Sequence, residues 1–92
     1  MITAIVFIQA EVSRLPETAA QIADLDGVSE VYSVTGGLDL VAMVRVADLD
    51  QVAAVVADRL NKVPGIASTE THIAFRTYSK HDLEAAFSLG LD

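Results

Sequence analysis

The chain has 92 residues, no cysteine, and a net charge of −7 in a composition that is 52% hydrophobic. Single domains run from about 50 to 250 residues, so one domain is expected. The missing cysteines exclude disulfides and thiolate chemistry, and six Lys and Arg against thirteen Asp and Glu speak against nucleic acid or an anionic membrane as a direct partner.

A domain this small buries only about two-thirds of its unfolded surface, so its core is thin. Its apolar content exceeds what one thin core hides, and a second copy of the chain is the expected cover. The opening run Ile2 to Ala10 is apolar but too short to span a bilayer, and it has neither a basic leader nor a cleavage pattern. It reads as the first strand of a soluble, cytoplasmic protein.

A helix is predicted from Leu15 to Asp24, with Pro16 in its first turn and Leu15, Ala19 and Ile22 on one face. Gly27 suits the left-handed residue past its end, and a second strand follows from Val28 to Val34. A third strand is expected from Leu38 to Ala47. Asp48 then reads as an N-cap, with Gln51 completing a capping-box pattern. Leu49, Val52, Ala53, Val56 and Leu60 form the apolar stripe of a second helix. Pro64-Gly65 is a turn into a last strand, Ile66 to Thr77. A short C-terminal helix from Lys80 to Leu89 would carry Leu83, Phe87 and Leu91.

The chain matches itself at a shift of about 38 residues, which places Leu25, Gly27 and Val28 on Val63, Gly65 and Ile66. Each half reads strand, helix, turn, strand. Two such halves joined by a hairpin give an α+β, ferredoxin-like βαββαβ domain of the dimeric α/β-barrel type over residues 1–78, with a helical tail over 79–92. The first strand of each half is expected to be central, and the two parallel. Ala4, Val6 and Ile8 share one sheet face with Leu40, Ala42 and Val44. The opposite face still carries Ile5, Phe7, Val41 and Met43, too apolar for a wet surface, so a partner sheet is expected on it.

Gly36-Gly37 is first of all a two-residue hairpin loop, since both positions tolerate positive φ. Such a turn also bares backbone N–H groups that could hold a carboxylate. Asp39 interrupts an apolar strand, where a charge needs a partner. Backbone donors beside an acid would suit the carboxylate and ammonium of an amino acid. Ser68, Thr69, Glu70, Thr71 and His72 fit an edge strand with one wet face. They become a site only if this strand lies beside the glycine turn of another subunit. His72 and His81 lack metal-ligand spacing, and Ser79, His81 and Asp82 lack the setting of a catalytic triad. No catalytic residue, metal or cofactor is expected.

The motif Val-Thr-Gly-x-x-Asp-Leu, followed by an apolar strand, a helix and Val-Pro-Gly-Ile-x-x-Thr-x-Thr, resembles the effector-binding (RAM) domain of the Lrp/AsnC transcription regulators, over about residues 2 to 76. Met1 leads at once into the first strand, so the chain looks like a stand-alone RAM domain without helix-turn-helix. The resemblance implies sheet-on-sheet dimers, assembled further into four dimers, with amino-acid effectors bound between them. The matching positions are Thr35, Gly36, Gly37, Asp39, Ser68, Thr69 and Thr71. Gly37 and Leu38 fill its variable positions without a hydrogen-bonding side chain.

The expected function is therefore a non-enzymatic, amino-acid-binding, oligomerising regulatory domain. Its partners would be an amino acid or related small metabolite, further copies of itself, and full-length regulators of the same family. One rival is a small monooxygenase-like enzyme with its chemistry between sheet and helices, for which only His72 offers an acid-base group. Another is a purely structural oligomerisation module.

Overall fold

Strict alternation in the first strand decides the layering. In the computed structural model, which describes residues 1–80, β1 spans Ile2–Ala10. Its Ala4, Val6 and Ile8 have no exposed surface, and neither do Leu40, Ala42 and Val44 of β3 (Leu40–Val46). Two helical segments cover this inner face. The first, α1 (Leu15–Ala23), follows a single 3₁₀ turn at Val12–Arg14 and starts with Pro16 in its first turn. It inserts Ile22 and leaves Leu15 and Ala19 half-buried. The second, α2 (Leu49–Ala53), continues into a wider π turn at Ala54–Arg59 and a tight turn at Leu60–Lys62.

The π turn corrects the expected stripe. Val52, Val55 and Leu60 are buried, but Leu49 is 58% exposed and Ala53 faces solvent. A π turn adds a residue to the helical period, so past Ala53 the buried position falls on Val55 and not on the expected Val56, while Leu49 and Ala53, ahead of the turn, lie in the first helical turns on the solvent side. The start of α2 is as expected. Asp48 Oδ1 accepts the N–H of Gln51 at 2.9 Å, while Gln51 Oε1 accepts from Ala47, one residue before the cap.

The sheet order is β2-β3-β1-β4, with β2 at Val28–Ser33 and β4 at Ile66–Ile73. Every neighbouring pair is antiparallel. The central strands β1 and β3 are therefore antiparallel, against the expectation that they run parallel. The connection between β2 and β3 reverses the chain, and each βαβ crossover skips one position that the other half's first strand fills. The β4 strand ends four residues earlier than expected, although Ala74 N–H still donates to Thr3 O at 2.9 Å. The helix expected from Lys80 to Leu89, and the tail unit it would define, lie outside the described residues.

The internal repeat shows in two glycines. Gly27 and Gly65 both follow a helical segment, with φ of 95° and 96°. A Cβ on Gly27 would meet Val55 Cγ2 at 2.5 Å, and one on Gly65 would meet Thr18 Oγ1 at 2.4 Å. Each half's glycine thus lets the other half's helix approach. Thr18 is itself buried, and its hydroxyl donates to Pro64 O at 3.1 Å.

Gly65→Ala combines a left-handed backbone with a clash against Thr18 and is expected to cost about 1–3 kcal/mol in urea unfolding. Gly37→Ala, at a position with open space and no positive φ, should stay within about 0.5 kcal/mol of wild type.

Candidate functional site

The connection between β2 and β3 is longer than the two-residue turn expected from Gly36-Gly37. Val34 N–H donates to Asp39 O at 3.1 Å, which leaves residues 35–38 as a loop. Only Gly36 takes a positive φ, 102°. The last bond of the hairpin is therefore at Asp39, which also pairs across to β1 on its other side. Its N–H donates to Ile8 O at 3.0 Å, and its carboxylate Oδ2 accepts the N–H of Ala10 at 2.8 Å. The β1–β4 register slips between Gln9 and Ala10, so a donor at this corner needs an acceptor outside the ladder. The charge that interrupts an apolar strand thus has a partner within its own chain.

Register sorts the β4 residues between the two faces. Ser68 lies opposite Gln9, Glu70 opposite Phe7, and His72 opposite Ile5, all on the outer face. Thr69 lies opposite Ile8 and Thr71 opposite Val6, on the helix side of this edge strand. The hydroxyl-bearing positions expected to act together are therefore split by the period of two.

An open cleft of about 780 Å³ lies over the outer face of β1 and β4. Ile5, Phe7 and Leu38 give it an apolar floor, and Gln9, Ser68, Thr69, Glu70 and His72 line its polar side. Phe7 and His72 meet edge to face, with ring centroids 5.2 Å apart. His72 Nε2 and Glu70 Oε2 are 2.6 Å apart, and both side chains are well exposed. Among the described residues no group of three or more His, Cys, Asp and Glu is placed to hold a metal ion.

Gln9 joins the two segments singled out from sequence. Its Nε2 donates to Gly37 O at 3.2 Å, and its Oε1 accepts from Ser68 Oγ at 3.0 Å. Glycine loop and hydroxyl-bearing strand therefore meet within one chain, where the expectation required the turn of another subunit. Of the residues expected to form a site, Ser68 and Thr69 line the cleft, Gly36 and Gly37 form the loop beside it, and Thr35, Asp39 and Thr71 are not among its lining residues. Gln9 was missed because it reads as the polar end of an alternating strand, and its partners lie 28 and 59 residues away.

At the other end of the outer face, Arg45 reaches from β3 to both Ser29 and Glu30. Its hydrogen bond to Glu30 holds that carboxyl below the usual carboxylate range. Between this polar group and the glycine loop lie Ile5, Phe7, Val41 and Met43, all half-buried, and Tyr32, 51% exposed.

A family model described as the Lrp/AsnC ligand binding domain matches residues 3–83. An HTH-type transcriptional regulator of Pyrococcus horikoshii is 38% identical over 61 residues, 66% of this chain and 41% of that protein. The chain thus spans less than half the length of this relative. A solved protein of Thermus thermophilus superimposes with a TM-score of 0.81 at 44% identity, covering 87% of this chain and all of the other. A transcriptional regulator of Neisseria meningitidis, solved as a complex with L-Met, shares the fold with a TM-score of 0.75 at 16% identity, over 85% of this chain and 52% of its own. With most of its length matched by the family model and its four-stranded sheet shared with these structures, the chain belongs to the Lrp/AsnC ligand-binding-domain family.

Proposed function

We propose that this domain is a regulatory sensor that binds a free amino acid, or a closely related small metabolite, at the loop end of the outer cleft. The observation that carries this reading is the Gln9 junction. It brings the glycine loop and Ser68 to one end of a concave surface with an apolar floor. Convergent polar groups around an apolar floor are the usual make-up of a small-molecule site. The family supplies the class of role, and the L-Met complex of a fold neighbour supports the class of ligand.

In this reading Gly36, Gly37 and Ser68 surround the ligand, with Gln9 added, while Thr69 borders the cleft from a position whose side chain faces the helix side. Asp39 holds the base of the loop through Ala10. Thr35 and Thr71 stand further out, where a neighbouring subunit could bring them to a ligand. The enzyme alternative has less support. It needs chemistry between sheet and helices, but His72 lies on the outer face, and Ala4, Val6, Ile8, Leu40, Ala42 and Val44 fill the inner one.

The outer face also supports self-association. Ile5, Phe7, Val41, Met43 and Tyr32 form a continuous apolar surface across three strands, bounded by the Arg45–Glu30 pair and the glycine loop. A second copy packed sheet on sheet would cover it and narrow the cleft. The family's assembly into four dimers, its full-length regulators as partners, and a cytoplasmic setting belong to the same proposal.

A thermal-shift panel of amino acids tests the sensor reading. A ligand at about a hundred times its Kd should raise the melting temperature by on the order of 10 °C. No shift with any amino acid or amino-acid derivative would refute it.

Light scattering at micromolar concentration should give a dimer or a larger assembly. Met43→Asp should shift it to monomer, because it would bury an unpaired charge at a cost of several kcal/mol. A monomeric wild type would refute self-association.

Asp39 separates scaffold from ligand contact. Asp39→Ala should lose about 1–3 kcal/mol of stability, because Ala10 N–H is left without an acceptor. Asp39→Asn keeps an acceptor oxygen and should change ligand affinity by less than about threefold. A much larger loss, on the order of the ten- to hundredfold that a charge-assisted bond is worth, would place Asp39 on the ligand.

A further inference from the structure

The two hydrogen bonds of Gln9 have a fixed direction. A backbone carbonyl only accepts, so Gly37 O holds the Gln9 amide with its nitrogen toward the loop and its oxygen toward β4. That oxygen also only accepts, so Ser68 Oγ must spend its single proton on it. Towards the cleft, Ser68 therefore offers lone pairs alone. The Gln9 nitrogen keeps a second hydrogen, for which the described residues provide no acceptor. Glu70 continues the acceptor side two residues further along the same face. Its Oε2 is engaged by His72, and Oε1 is left over. The cleft thus has a donor end at Gln9, beside the glycine loop, and an acceptor end at Ser68 and Glu70. Gln9 and Ser68 are directly opposed across adjacent strands and their side chains already touch, so the donor and acceptor ends lie side by side, within reach of one small zwitterion.

We infer that Gln9 is the specificity-determining residue of this cleft, orienting an amino acid with its carboxylate towards Gln9 and the glycine loop and its ammonium towards Ser68 and Glu70. This rests on the amino-acid reading above. It moves the ammonium away from Asp39, whose carboxylate is tied to Ala10 and does not line the cleft.

Gln9→Glu tests the orientation. It preserves size but replaces the donor with a carboxylate, which repels a ligand carboxylate and attracts a ligand carboxamide N–H. The probes are L-leucine, L-methionine and L-phenylalanine, chosen for the apolar floor, each as the free amino acid, the carboxamide and the N-acetyl derivative. Calorimetry on wild type should rank the free amino acid first and the N-acetyl form last. In Gln9→Glu the affinity for the free amino acid should fall roughly 10–100-fold, while the carboxamide holds or gains, so that the preference inverts. Gln9→Met, which can neither donate to Gly37 nor accept from Ser68, should weaken both forms together without inversion. Ser68→Ala should weaken the free amino acid and the carboxamide about equally.

A merely structural role for Gln9 would lower all probes in proportion, so an unchanged ratio of free amino acid to carboxamide in Gln9→Glu would overturn the inference and leave the sensor reading standing. A wild-type protein that binds no form of any probe or other amino acid would overturn both, which is a distinguishable result.

Discussion

Much of the loop end of this domain hangs on one backbone donor, the N–H of Ala10. The slip in register between β1 and β4 takes it out of the ladder at the end of a central strand, at a buried residue. A backbone donor left unpaired there costs about as much as a lost hydrogen bond. Asp39 supplies the acceptor, and its own N–H returns to Ile8 O. Two bonds from one residue thus fix the base of the glycine loop against β1. Gln9 stands between those two anchor points, and its side chain reaches the loop at Gly37 and β4 at Ser68. The polar end of the cleft is a consequence of how the fold solves a backbone problem.

The rest of the architecture follows from interleaving two similar halves. Each crossover leaves a gap that the other half fills, and Gly27 and Gly65 remove the side chains that would hold the helical segments away. Both helices then cover the same face. The opposite face has no layer of its own within the described residues, yet it carries Ile5, Phe7, Val41 and Met43. Phe7 belongs both to the floor of the cleft and to the apolar surface, so the proposed ligand and the proposed second copy would share one side chain.

Much of this was legible in the residues. Alternation in β1 and β3 named the buried face, because the side-chain period of a strand is set by backbone geometry alone. Gly27, Gly65 and the Asp48 cap were legible because each is a local device that needs few neighbours. The family resemblance rested on the Gly36-Gly37 and Pro64-Gly65 segments, and the family is shown over residues 3–83. Three features escaped. The antiparallel run of β1 and β3 depends on how the halves interleave, not on either half. The π turn at Ala54–Arg59 leaves no mark in a run of alanines and valines that is helical in either form. The partners of Asp39 and Gln9 are long-range, so local reading could name neither.

The two edges of the sheet bear on how copies of the chain can meet. On one side β2 carries an irregular register between Val28 and Glu30, and Arg45 leans across to Ser29 and Glu30. On the other, β4 presents Glu70, Thr71 and His72, all exposed. A kinked, charged edge is a poor template for adding another strand, which is how folded proteins commonly avoid open-ended stacking into fibres. Contact through a face, by contrast, is used up once two copies have met. If copies of this chain meet as proposed, guarded edges leave the sheet face as the route, and a face-to-face contact closes on itself instead of propagating.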